Sequence, residues 1–167
     1  MQAFTGVALG ARLFEYFCYR SYENMDGIMG KDGEKRIYHL VKGANERVLP
    51  FAQYVCDYTW RGAYAVAGKN VCDNARAFIL AKNLFAKPSV DIYGEYDLLV
   101  GEFEKGRGKA YMLVNFTDPM KQRTGIVKAS FGKPIAYFHD GKLHENREGV
   151  LEIRLAYGAA VFVMERA

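Results

Sequence analysis

Near the N-terminus the chain carries a run that is apolar on both faces. Residues 11–19, Ala-Arg-Leu-Phe-Glu-Tyr-Phe-Cys-Tyr, have large apolar side chains at odd and even positions alike. Such a run predicts a strand buried on both sides, as in a parallel sheet covered by helices. Tyr22–Gly33 is rich in Gly, Asp and Asn and reads as a loop. From about Glu34 to Tyr58 the pattern turns helical. Ile37, Leu40, Val41, Ala44, Val48, Phe51, Ala52 and Val55 fall at spacings that share one face. Pro50 interrupts this pattern and predicts a kink, or a split near Leu49. Thr59–Gly62 reads as a helix exit followed by short extended pieces. Ala77–Phe85 fits either a short strand or a helix.

From Tyr96 the pattern becomes that of short strands separated by turn residues. Asp97–Lys105 and Lys109–Phe116 flank a Gly-Arg-Gly turn, and Arg123–Phe131 follows. Pro134–His139 and Lys142–Asn146 flank Asp140-Gly141, the strongest hairpin signal in the chain. Val150–Ala156 and Ala159–Glu165 complete the set, and in Leu151-Glu-Ile-Arg-Leu155 the apolar residues point one way. The reading is α+β: an N-terminal strand, loop and long helix over 1–62, a connecting segment over 63–95, and an antiparallel β-sandwich over 96–167. One strand with one covering helix cannot complete a parallel sheet. The first part therefore belongs to a larger object or finds a partner.

Composition narrows the function. The chain has 167 residues, 50% hydrophobic and 25% charged, which is globular. Its 23 basic and 19 acidic residues are mixed along the chain, and the net charge of +4 gives no basic track for nucleic acid. No apolar stretch approaches the ~18 residues of a membrane span. The first residues lack the basic start of a signal peptide, so the expectation is a cytoplasmic protein. Cys18, Cys56 and Cys72 are widely spaced and odd in number, and read as reduced, largely buried thiols. His39, His139 and His144 supply no ligand spacing for zinc, and no metal or cofactor is expected. Aromatic residues make up 14% of the chain, an excess suited to cores, interfaces or sugar stacking.

Several segments carry a family resemblance. Gly10-Ala-Arg-Leu-Phe-Glu-Tyr-Phe-Cys-Tyr19 resembles the eighth strand of bacterial β-galactosidase-like TIM-barrel glycoside hydrolases. Tyr38–Phe51, with Val41-Lys-Gly-Ala-Asn-Glu46, is similar to their last barrel helix, and Tyr58-Thr-Trp-Arg-Gly62 to the segment that leaves the barrel. Leu98-Leu-Val-Gly-Glu-Phe103, Tyr111-Met-Leu-Val-Asn-Phe116 and Ala136-Tyr-Phe-His-Asp-Gly141 resemble the C-terminal β-sandwich of such enzymes. The resemblance implies that residues 1–62 are the terminal β/α unit of a barrel. It also implies that the chain is a non-catalytic C-terminal region supporting the barrel and its assembly. Retaining glycosidases need two carboxylates about 5 Å apart. In this family they stand at the ends of strands four and seven, neither of which lies in this chain, so no glycosidase activity is expected of it alone.

Candidate residues follow. The C-terminal ends of barrel strands face substrate, so the resemblance places Tyr19, Arg20 and Tyr22 at that mouth, although Arg20 stands where the family more often has an aromatic. The bland alternative is that they end a strand. Glu15, mid-strand among apolar residues, reads better as a paired or exposed charge than as a catalyst. Trp60 reads as packing of the helix end on the sandwich. Tyr137, Phe138 and His139, with His144 across the hairpin, form a candidate sugar-stacking patch whose alternative is ordinary cross-strand pairing. The rival function is a stand-alone carbohydrate-binding or interaction module. The partners expected are a carbohydrate and either the remainder of a barrel or a second copy through residues 11–19, with neither nucleic acid nor membrane.

Overall fold

The structure, a computed structural model, describes residues 2–16, 19–21, 27–70 and 89–166. Its last strand shows how the core is built. In Ala160–Glu165, Val161 and Val163 occupy one face and Phe162 and Met164 the other, and all four are buried. Successive strand residues point to opposite faces, so a strand apolar throughout must lie in a middle layer.

Among the described residues there are two α-helices, α1 (Gln2–Ala8) and α2 (Arg36–Val55). The strands are β1 (Met29–Gly30), β2 (Gly33–Glu34), β3 (Thr59–Val66), β4 (Asp91–Gly94), β5 (Leu98–Lys105), β6 (Gly108–Asn115), β7 (Gly125–Ser130), β8 (Ile135–His139), β9 (Lys142–Asn146), β10 (Val150–Leu155) and β11 (Ala160–Glu165). A six-stranded antiparallel sheet in the order β3-β5-β6-β11-β8-β9 forms the middle layer, and a three-stranded sheet β10-β7-β4 packs on one face. Leu98, Val100, Leu113 and Val163 meet Val127, Leu151 and Leu155 between the sheets. On the opposite face Leu99, Phe103, Met112, Phe138 and Phe162 meet Phe4 and Val7 of α1 and Val48, Phe51 and Val55 of α2. The fold is thus α+β, and every strand read from residue 97 onward is present with small shifts at its ends. At the β8–β9 turn Asp140 and Gly141 both have positive φ, 48° and 74°, as a primed two-residue hairpin requires.

The N-terminal part departs from expectation. Residues 11–16 are irregular rather than a strand, and Leu13, Glu15 and Tyr16 are exposed. Side chains tether this segment. The Arg12 guanidinium donates to the carbonyls of Cys56, at 3.0 Å, and of Tyr58. The Tyr16 hydroxyl donates to Asn45 Oδ1 at 2.7 Å. No strand among the described residues lies beside residues 11–16, so their backbone has no ladder to join. The chain before them is α1, which ends at Ala8 and is followed by a turn whose Gly10 has φ of 91°. A Cβ at Gly10 would lie 2.9 Å from the Trp60 ring. The Trp60 indole donates to the Ala8 carbonyl at 3.0 Å, and Ala8 sits so close over β5 that a Cβ at Gly101 would lie 2.3 Å from its oxygen.

Other boundaries move as well. The helix read over Glu34–Tyr58 spans Arg36–Val55 and continues through Pro50 instead of splitting there. Val48, Phe51 and Val55 are buried on one face across the proline, which offsets the intrahelical bond that proline removes. The division at residue 62 falls inside β3, a continuous strand where short pieces were expected. β3 carries a bulge between Trp60 and Gly62, which breaks the alternation that would have marked it. The loop read over Tyr22–Gly33 contains β1 and leads into β2. Cys56, at the C-terminal cap of α2, is exposed rather than buried. Ala77–Phe85, Cys18, Cys72 and Tyr22 lie outside the described residues.

Candidate functional site

Tyr19 and Arg20 stand on an exposed bend, with Tyr19 60% exposed. They sit beside β1 through a parallel bridge between Arg20 and Met29: Met29 N–H donates to the Tyr19 carbonyl at 2.7 Å, and Ser21 N–H to the Met29 carbonyl at 2.9 Å. This three-residue fragment is the nearest thing to a parallel strand in the N-terminal part. Glu15 is an exposed charge. Trp60 packs against the helix-side core, but the helix it is bonded to is α1, through the Ala8 carbonyl, where packing of the end of the long helix on the sandwich was expected.

The hairpin residues separate by parity. Phe138 is buried on the helix side, edge-on to Phe51 at 4.9 Å between ring centroids. It therefore faces away from Tyr137, which stacks on His144 across the strand pair at 4.9 Å and 15°. His139 Nε2 lies 3.1 Å from Asp140 Oδ2, and its Nδ1 3.3 Å from the Ala160 carbonyl. The aromatic surface offered to a ligand is thus Tyr137 with His144, not Tyr137 with Phe138. β9 has the outer edge of the sheet and is largely exposed.

A polar cluster that sequence reading missed lies on the interior strands β5, β6 and β11. Glu102 and Tyr111 are cross-strand partners on β5 and β6, and Glu165 lies nearby on β11, all on the face toward the three-stranded sheet. Ser89 Oγ donates to Glu102 Oε1 at 2.6 Å and lies 3.3 Å from the Tyr111 hydroxyl. Tyr111 donates to Glu165 Oε1 at 3.4 Å, and Lys133 Nζ is 3.6 Å from Glu165 Oε2. The Tyr64 hydroxyl is buried without a hydrogen-bond partner. Burial, and then the charges of Glu102 and Tyr111, hold the Tyr64 phenol well above its ordinary value. The Ser89 backbone offsets this slightly from outside hydrogen-bond geometry. Burial also pushes Tyr111 up to about 12, with Glu165 and Glu102 adding to the shift and the Ser89 hydroxyl opposing it. Alternation along β5, β6 and β11 could have placed these three residues on one face, but not the pairing order that brings β11 next to β6.

The raised phenols set the sign of an alkaline effect. Both groups are neutral in folded and unfolded chains below the ordinary tyrosine value of 10.0. Above it the unfolded chain ionises first, so stability falls from about pH 10 to about pH 12. Ultraviolet titration of the folded protein should show two phenols lagging the rest. Tyr64→Phe should keep or raise stability, by up to about 1 kcal/mol, because it removes an unsatisfied buried hydroxyl. Loss of stability in Tyr64→Phe on chemical denaturation would show that the hydroxyl has a partner.

The described surface includes two hollows. One of about 90 Å³ is lined by Arg61, Glu102, Phe103, Glu104, Lys109 and Tyr111. The other, of about 400 Å³, is lined by Lys105, Arg107, Gly108, Lys133, Glu165 and Arg166. Among the described residues no three His, Cys, Asp or Glu side chains converge as a metal cluster, and no helix is long and apolar enough to cross a membrane. Comparison with family models, curated proteins and solved structures finds no match.

Proposed function

We propose that this chain is the non-catalytic C-terminal region of a carbohydrate-cleaving TIM-barrel glycoside hydrolase, its sandwich supporting a barrel whose other strands lie elsewhere. One observation carries the reading. A segment patterned for burial on both faces packs Phe14 on the helix-side core but leaves Leu13 71% and Tyr19 60% exposed. α2 supports it. Ile37, Leu40, Val41 and Ala44 continue the face that Val48, Phe51 and Val55 bury, yet Ile37 and Leu40 are exposed. Apolar surface of this extent marks a site for another protein layer. The short parallel bridge at Arg20 and Met29 is the kind of pairing a parallel sheet would extend.

The purified chain should hydrolyse no nitrophenyl glycoside, and the genomic sequence before Met1 should encode roughly 400–500 residues of alternating strands and helices. Turnover by the chain alone, or an upstream sequence without that alternation, overturns the reading. A second reading, glycan binding by the β8–β9 hairpin, draws on the Tyr137–His144 stack. It requires glycan-array binding that disappears in Tyr137→Ala.

A further inference from the structure

One end of the six-stranded sheet gathers cations from three remote stretches of chain. Lys105 and Arg107 come from the β5–β6 hairpin, Lys133 from the loop before β8, and Arg166 from the end of β11. With Gly108 and Glu165 they line the 400 Å³ hollow, so four cations there face one carboxylate. Backbone bonds set the frame. Lys105 pairs with Gly108 and closes the two-residue turn Gly106-Arg107, and the Arg166 N–H donates to the Pro134 carbonyl at 2.8 Å.

The cations differ in how firmly they are held. Lys105 is paired with Asp57 at 2.8 Å. Lys133 and Arg166 have longer pairs, 3.6 Å to Glu165 and 3.4 Å to Glu145. The Lys133 and Arg166 side chains are 61% and 49% exposed, and ion pairs so exposed hold little against a competing anion. Arg107 is exposed and has no ion-pair partner among the described residues. Asp57 and Glu145 do not line the hollow. Glu165, the carboxylate that does, also accepts from the Tyr111 hydroxyl at 3.4 Å.

We propose that this hollow is a binding site for a doubly charged phosphoryl group, with Arg107 as its first contact and Arg166 and Lys133 turning in from their loose pairs. The excess of positive charge suits a dianion better than a single carboxylate. Two guanidinium forks match phosphate oxygens in pairs. The cations converge on one hollow instead of following a track, which suits a small ligand and not a nucleic-acid backbone. Its volume falls in the range of small-ligand sites, roughly 300–1,000 Å³, so the ligand has room for more than the phosphoryl group. The site does not depend on the glycosidase reading.

Calorimetric titration of the full chain at constant ionic strength tests it, with inorganic pyrophosphate as the probe and acetate as the singly charged comparison. Pyrophosphate should bind saturably and acetate should not. Arg107→Ala and Arg166→Ala should each weaken pyrophosphate binding roughly tenfold, the loss of a charge-assisted contact. Lys142→Ala removes an exposed cation of β9 outside the hollow and should leave the affinity unchanged. Both arginine side chains are exposed, so the variants should unfold at the denaturant midpoint of the unaltered chain. Absence of saturable pyrophosphate binding overturns the proposal. So does an affinity that either arginine substitution leaves unchanged, or one that Lys142→Ala lowers as much as they do.

Discussion

Gly101→Val is expected to detach α1 from the sheet. Position 101 is on β5, directly beneath Ala8, and any Cβ there would lie 2.3 Å from the Ala8 carbonyl oxygen and 2.7 Å from its Cα. These are backbone atoms in a helix end, so no side-chain rotation relieves the clash. The helix must lift and surrender the burial of Phe4 and Val7. At about 1.5–3 kcal/mol for each side chain, part of which a displaced helix recovers, the cost comes to about 3 kcal/mol. Trp60 is the only tryptophan, and its indole is bonded to the Ala8 carbonyl. Its emission should shift to the red in Gly101→Val at denaturant concentrations where the rest of the fold persists. Gly43→Ala is the matching control. A Cβ there meets nothing within 4 Å, and inside α2 it should stabilise by roughly 0.5–1 kcal/mol. An unfolding midpoint and tryptophan emission in Gly101→Val equal to those of the unaltered chain would mean that α1 is not docked over β5.

Phe162→Ala is expected to be the most damaging large-to-small change. Phe162 is fully buried in the middle layer, edge-on to Phe103 at 5.7 Å and to Tyr58 at 5.6 Å. Removal of such a ring costs about 3–5 kcal/mol, because the flanking strands cannot collapse into the space. Against a total stability of typically 5–15 kcal/mol, that leaves a marginal protein. Leu143→Ala on the exposed β9 strand should stay within about 0.5 kcal/mol. Denaturant midpoints compare the two. Equal losses would show that the helix-side layer does not close over Phe162.

Residues 11–19 bear the sharpest difference between pattern and structure. Their pattern asks for neighbours on two sides. Among the described residues no strand pairs with 11–16, and side chains of Arg12 and Tyr16 hold that stretch along α2 instead. The exposed first turns of α2 leave the same kind of surface open.

The strands β5 to β11 were legible because alternation and turn residues are local. Leu98–Val100 and Ala160–Met164 carry apolar residues at every step, and Asp140-Gly141 takes positive φ without help from distant residues. The C-terminal half of α2 was legible for the same reason: its apolar spacing and the burial of Val48, Phe51 and Val55 agree. Tertiary contact decided the rest. α1 has a short, glycine-containing sequence with weak helix propensity and is held by the Gly101 approach and the Trp60 bond. β4 has only four residues and takes its strand form from pairing with β7. The Glu102–Tyr111–Glu165 cluster exists because β11 inserts next to β6, a pairing across some fifty residues. Local pattern fixes which way a side chain points along its own strand; only the closing of distant strands determines which charges and hydroxyls come to share a face.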